Sequence, residues 1–104
     1  MILLHIISYD EEQAIEIANF LIEKDLIIDA TLLEKVSMRK KINNQIESVN
    51  KTLIIGKTKA LLFDAINELL KEKYKENIPV IYSLPIVFMD WEQSKELVSE
   101  VAKA

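Results

Sequence analysis

Few side chains in this sequence are equipped for chemistry, and they sit in separate places. His5 is the single histidine, set inside the apolar run Ile2 to Ile7. Asp29 interrupts the otherwise apolar stretch Leu26 to Ala30. Gly56-Lys57-Thr58 contains the only glycine. Asp10, Glu11, Glu12 and Glu16 are close together, and Lys35 precedes the basic run Arg39-Lys40-Lys41.

Each of these has a plain reading beside a functional one. A lone imidazole needs carboxylate partners to hold a metal. His5 otherwise reads as a core or sheet-face histidine, one that a three-fold assembly would bring to its symmetry copies. Asp29 is either a hard oxygen ligand, which favours Mg or Ca, or half of an ion pair with Lys35, Lys51 or another subunit. Gly56-Lys57-Thr58 lies between a strand and a helix, as in a phosphate-binding loop. That loop needs a glycine where Lys51 stands, so a strand end with Thr58 capping a helix accounts for it. The acidic cluster matches helix capping. The basic cluster with Lys57 is either a solvated hairpin tip or an anion or nucleotide contact made by Lys35, Arg39, Lys40, Lys41 and Lys57. No Ser-His-Asp set, Cys-His pair or carboxylate dyad can be assembled. The expectation is a binding protein and not an enzyme.

The 104 residues fit a single domain, 1–104. A chain of this size buries roughly 65% of its unfolded surface, enough for a real core. Half the residues are hydrophobic and 29% are charged, which excludes disorder. A single glycine and two prolines demand short connections. The net charge of −4 argues against nucleic acid as the partner. No apolar run approaches a membrane span, and there is no cysteine for disulfides. The expected setting is the cytoplasm, with no membrane contact.

These residues must be positioned by short, well-patterned elements. Ile2 to Ile7 reads as a buried strand. Ser8 with Glu11, or Asp10 with Gln13, can form a capping box for a helix whose stripe is Ala14, Ile17, Ala18, Leu21 and Ile22. Leu26 to Val36 reads as a second strand, Ser37 to Asn43 as a polar hairpin turn, and Asn44 to Thr58 as a long returning strand. The next helix runs from Lys59 to about Lys73, with Leu61, Leu62, Ala65, Ile66, Leu69 and Leu70 as its stripe. Pro79 to Ile86 is a strand whose prolines fit only an edge or a strand end. Asp90 with Gln93 opens a last helix, Trp91 to about Ala102, with Leu97, Val98 and Val101 on its apolar side and Phe88 and Trp91 anchoring it. The order βαββαβ plus a helix is that of an α+β, ferredoxin-like fold with a long β2–β3 hairpin. Right-handed crossovers are expected to set the first and third strands side by side and parallel in the centre. The helices would cover one face. The other face, rich in Ile and Leu, would need a partner, and a three-fold ring of sheets would supply one.

With these elements in order, the sequence resembles the CutA-type divalent-cation tolerance proteins, relatives in fold of the PII signalling proteins. The likeness runs from Asp10 to about Trp91. It is carried by Asp10-Glu11-Glu12-Gln13-Ala14 with Ile17, Ala18 and Leu21; by Leu53-Ile54-Ile55-Gly56-Lys57-Thr58; by Ile78-Pro79-Val80-Ile81 and Leu84-Pro85-Ile86; and by Asp90-Trp91. The resemblance implies an antiparallel ferredoxin-like homotrimer that binds a divalent cation, with no protein partner named by the sequence. Asp29 stands where the family has a cysteine, and Thr31 where it has an asparagine. Met38-Arg39-Lys40-Lys41 replaces an aromatic hairpin tip, Tyr74-Lys75-Glu76 replaces a His-Pro-Tyr, and Val80 replaces a glutamate. Asp29 is thus the metal-ligand candidate that the resemblance leaves. A PII-like sensor of a small anion or nucleotide, or a plain oligomerising module, is the alternative.

Overall fold

The computed structural model describes residues 1–103. Chain order is β1 (Ile2–Ser8), α1 (Glu11–Glu23), β2 (Ala30–Ile42), β3 (Gln45–Thr58), a short 3₁₀ turn (Ala60–Leu62), α2 (Phe63–Lys73), β4 (Val80–Pro85) and α3 (Trp91–Glu100). The four strands form one sheet in the order β2-β3-β1-β4.

Alternation along β1 decides which face is buried. Ile2, Leu4, Ile6 and Ser8 point to the helices and are buried, while Leu3, His5 and Ile7 point the other way. The helix-side residues join Ala14, Ile17 and Leu21 of α1, Ile54 of β3, Ile66 and Leu70 of α2, and Leu97 of α3 in one core. Each fully buried Leu or Ile contributes about 1.5–3 kcal/mol. β3 is buried on its helix side at Thr52, Ile54, Gly56 and Thr58.

The first and third strands are neighbours as expected, but they run antiparallel, with Ile6 opposite Ile54. β1 also pairs antiparallel with β4, and β2 with β3. Each crossover joins strands that are parallel but not adjacent, so the handedness rule acts between β1 and β2, with β3 inserted. β4 is an edge, with Pro85 at its end, where a missing N–H breaks no ladder.

The hairpin differs from the sequence expectation at both ends. Leu26 to Asp29 is not strand; β2 begins at Ala30 and continues through Ser37–Ile42. The turn is only Asn43-Asn44, closed by Ile42 opposite Gln45. Both asparagines have positive φ, 51° and 65°, which matches the right-handed twist of a two-residue hairpin and which asparagine tolerates. Arg39, Lys40 and Lys41 therefore lie along the arm, not at its tip. A register shift between Leu33 and Val36 marks a bulge, with Lys35 at φ 54°. The arm stretches the molecule to 47 × 28 × 20 Å.

The helix starts were legible. Asp10 Oδ1 accepts from the Gln13 N–H at 2.8 Å, and Gln13 Oε1 accepts from the Tyr9 N–H at 2.8 Å. Asp90 likewise accepts from the Gln93 N–H. Thr58 caps no helix: its hydroxyl donates to the Leu26 carbonyl at 2.6 Å. Ile22, Leu61, Ala65 and Val98, expected in apolar stripes, are exposed, as are Phe88 and Trp91, expected to anchor α3.

Candidate functional site

Asp29 and Lys57 meet, although they are far apart in sequence. α1 ends at Glu23 and is capped by Lys24; Asp25, with a φ of 57°, then turns the chain, and the Leu26 N–H donates back to Leu21 O at 2.9 Å. The following loop is fastened to the end of β3 by the Thr58–Leu26 bond and by Ile28 N–H donating to Lys57 O at 3.1 Å. Gly56 lies beneath this loop; a Cβ there would stand 3.1 Å from the Asp29 carbonyl and 3.3 Å from Ile27 Cδ1. Lack of a side chain, not an unusual backbone angle, is what the position requires. The Lys57 ammonium then reaches the Asp29 carboxylate at 2.8 Å.

That pair opens onto a pocket of about 250 Å³, walled on the far side by Met89, Gln93, Glu96 and Leu97. Both partners are partly exposed, so the pair contributes at most about 1 kcal/mol. Its chemical consequence is larger. Lys57 already neutralises the Asp29 carboxylate, and a cation arriving at Asp29 must displace an ammonium. No group of three His, Cys, Asp or Glu residues that could hold a metal ion forms among the described residues. The His, Cys, Asp and Glu side chains described in one chain therefore do not by themselves assemble a divalent-cation site.

The remaining cations are not gathered around this corner. Arg39 is opposite Ser48, Lys40 opposite Glu47 and Lys41 opposite Ile46, out on the arm. Lys35 sits at the bulge in a second pocket, of about 160 Å³, with Glu11, Glu34 and Lys51. There Glu34 is hydrogen-bonded to Glu11 and raises its pKa above the ordinary carboxylate value. Like-charge repulsion adds to this, and Lys35 opposes it. The pairing was not legible, because Glu34 comes alongside α1 only through the fold. Glu16 has a different partner: it accepts from the Tyr74 hydroxyl, which burial and the Glu16 carboxylate push to a high pKa.

The sheet face away from the helices is apolar. Leu3 and Ile7 of β1, Leu53 and Ile55 of β3, and Val80 and Leu84 of β4 share that face by register. His5 lies among them, with Nδ1 3.2 Å from the Tyr82 hydroxyl and the two rings 5.3 Å apart.

A four-stranded antiparallel sheet with a projecting hairpin and helices on one face defines a ferredoxin-like α+β protein. Comparison with known proteins gives the family. The model of the CutA1 divalent ion tolerance protein family matches residues 2–95, and the chain belongs to that family. Similar solved structures include a D60A mutant of CutA1 from Pyrococcus horikoshii OT3, 25% identical, covering 99% of this chain and 100% of that one, with a TM-score of 0.88. CutA1 from Oryza sativa is 18% identical over 99% of this chain and 94% of its own, with a TM-score of 0.90. The periplasmic divalent cation tolerance protein CutA from Archaeoglobus fulgidus is 22% identical over 98% and 100%, at 0.87. No curated protein sequence matches the chain. No helix among the described residues is long and apolar enough to cross a membrane.

Proposed function

We propose that this chain forms a homotrimer through the open sheet face and serves divalent-cation tolerance by binding and not by catalysis. The observation that carries the trimer is the apolar, uncovered face of β3, β1 and β4. Monomeric soluble proteins rarely leave a patch of that kind bare. The helices are all committed to the other face, and the chain end is tied there too: Ala102 N–H donates to Asp25 O at 2.7 Å, and Lys59 Nζ to the carbonyls of Val101 and Ala102. A second and third copy are the covers that a closed ring supplies.

Because the His, Cys, Asp and Glu side chains described in one chain do not by themselves assemble a divalent-cation site, cation contact belongs between copies, with Asp29 as the oxygen donor of each. Native mass spectrometry with added copper, zinc, magnesium and, separately, ATP tests this. The expected result is a species of about 36 kDa, three copies of the 12.0 kDa chain. It takes up a divalent cation, and the Asp29→Ala protein does not. Equal uptake by both would remove Asp29 from the site. Uptake of ATP without metal would shift the ligand-facing role to Lys35, Arg39, Lys40, Lys41 and Lys57. The cytoplasmic setting rests on the sequence alone, and cell fractionation tests it.

A further inference from the structure

We propose that the corner pocket beside Asp29 and Lys57 binds a small zwitterion, an α-amino acid with an apolar side chain. The proposal needs neither a second copy nor a metal, since every group it uses belongs to one chain.

The pocket is held from two sides. On one, the loop after α1 is fastened to the end of β3 by the Thr58 hydroxyl and by Ile28 N–H donating to Lys57 O. On the other, α3 is started by Asp90, which accepts from the Gln93 N–H, and is seated by Leu97, which is fully buried in the core. The space between them is about 250 Å³. Sites for drug-sized ligands run roughly 300–1,000 Å³, so this one suits a smaller molecule.

Its lining has two characters. Ile28, Met89 and Leu97 supply apolar surface, and Asp29, Lys57 and Glu96 supply charge. Lys57 and Asp29 meet at 2.8 Å with their side chains 37% and 53% exposed, so either can change partner without unpacking the core. Glu96 forms no ion pair among the described residues; its neighbour Lys95 lies over the Trp91 ring instead.

The ion pair selects the charges of the ligand. A simple anion taken by Lys57 would strip Asp29 of its counter-charge, and a simple cation taken by Asp29 would strip Lys57. A zwitterion does neither. Its carboxylate replaces Asp29 at the Lys57 ammonium, and its ammonium replaces Lys57 at the Asp29 carboxylate. Four charges then make two pairs, each with charge-assisted hydrogen bonds. Glu96 is a further acceptor in the same pocket for an ammonium that has three N–H donors. An α-amino acid carries both charges on groups bonded to one carbon, which suits partners that already touch. Its side chain then has Ile28, Met89 and Leu97 to cover, and that burial is favourable in proportion to the apolar area removed from water.

The test is isothermal titration calorimetry of the whole protein with EDTA present, using L-leucine and its two single-charge analogues, isocaproate and isopentylamine. Leucine should bind saturably, at one site per chain. Each analogue should bind weaker by about tenfold or more, the loss expected when one charged hydrogen-bond partner is missing. Asp29→Asn and Lys57→Gln should each weaken leucine binding by a similar factor. An exposed pair contributes too little to stability for either change to unfold the protein. Leucine that fails to bind, analogues that bind as well as leucine, or variants that bind leucine as well as wild type would each overturn the proposal. EDTA keeps this readout apart from cation uptake. Uptake that is lost in Asp29→Ala, with no leucine binding, overturns the zwitterion site and leaves the cation reading standing; leucine binding with no cation uptake does the reverse.

Discussion

Replacing Thr58 by valine should destabilise the protein by about 1–3 kcal/mol, the range for leaving one buried polar group without its partner. Thr58 is fully buried, and its hydroxyl donates at 2.6 Å to the carbonyl of Leu26 in the loop after α1. No other hydrogen bond to that carbonyl forms among the described residues. Valine keeps the shape and removes only the donor, so the loss isolates the hydrogen bond from packing. Thr58→Ser keeps the donor and loses a methyl group, about 0.8 kcal/mol. Urea unfolding at one fixed protein concentration reads both variants, since an assembling protein's stability depends on concentration. The valine variant should be the weaker of the two, with its midpoint lowered by about 1 M for a typical urea slope. A valine variant within about 0.3 kcal/mol of wild type, alongside a weaker serine variant, would show that the site needs the methyl group and not the bond.

Ile54→Ala, at a fully buried position of β3, should cost about 2–5 kcal/mol in the same assay through the cavity it leaves. Asn43→Val places a β-branched residue at a φ of 51° and should lose about 1–2 kcal/mol, whereas Asn43→Gly should be close to neutral. Glu34→Gln should lower the titration midpoint of Glu11, followed by NMR, because the like charge that helps raise it is removed and the new amide N–H can donate to the ionised Glu11 carboxylate. A carboxyl with a raised folded-state pKa stabilises fully below its ordinary value of 4.5 and loses that contribution as pH rises through the folded value. The Glu34→Gln protein should accordingly gain stability over wild type at neutral pH and show no gain at pH 3. An unchanged Glu11 midpoint would refute the pairing.

Much of the fold could be read from residue order because local and tertiary signals agreed. Asp10 with Gln13 and Asp90 with Gln93 predicted helix starts that the hydrogen bonds match. Pro79 and Pro85 restricted their strand to an edge or to strand ends, and β4 is an edge with Pro85 as its last residue. The errors came where pattern carries little information. Leu26-Ile27-Ile28-Asp29 alternates like a strand, but Asp25 turns the chain there and the loop packs over Gly56. Ser37 to Asn43 reads as a turn because it is polar, but Ser37 to Ile42 is strand and only Asn43 of it turns. An arm projecting beyond the core is solvated on both faces, so polarity there says nothing about turning. The tandem asparagines Asn43-Asn44 were the usable turn signal. Thr58 had the right type and place for a cap, and only the return of the loop after α1 gives its hydroxyl another acceptor. For the site, the resemblance and the apolar stretch around it singled out Asp29, but its contact with Lys57 joins elements far apart in sequence. The pairing of Glu11 with Glu34 had no local signal at all.

Whether a second and third copy cover the apolar face of β3, β1 and β4 decides the state of assembly. Sedimentation equilibrium of the purified protein at neutral pH, beside an Ile55→Asp variant that places a carboxylate in the middle of that face, addresses it directly. The expected masses are about 36 kDa for wild type and 12.0 kDa for a variant that keeps its far-ultraviolet circular dichroism. A wild-type protein that sediments at 12.0 kDa at micromolar concentration, or a folded variant that stays trimeric, would contradict the assignment of this face to assembly.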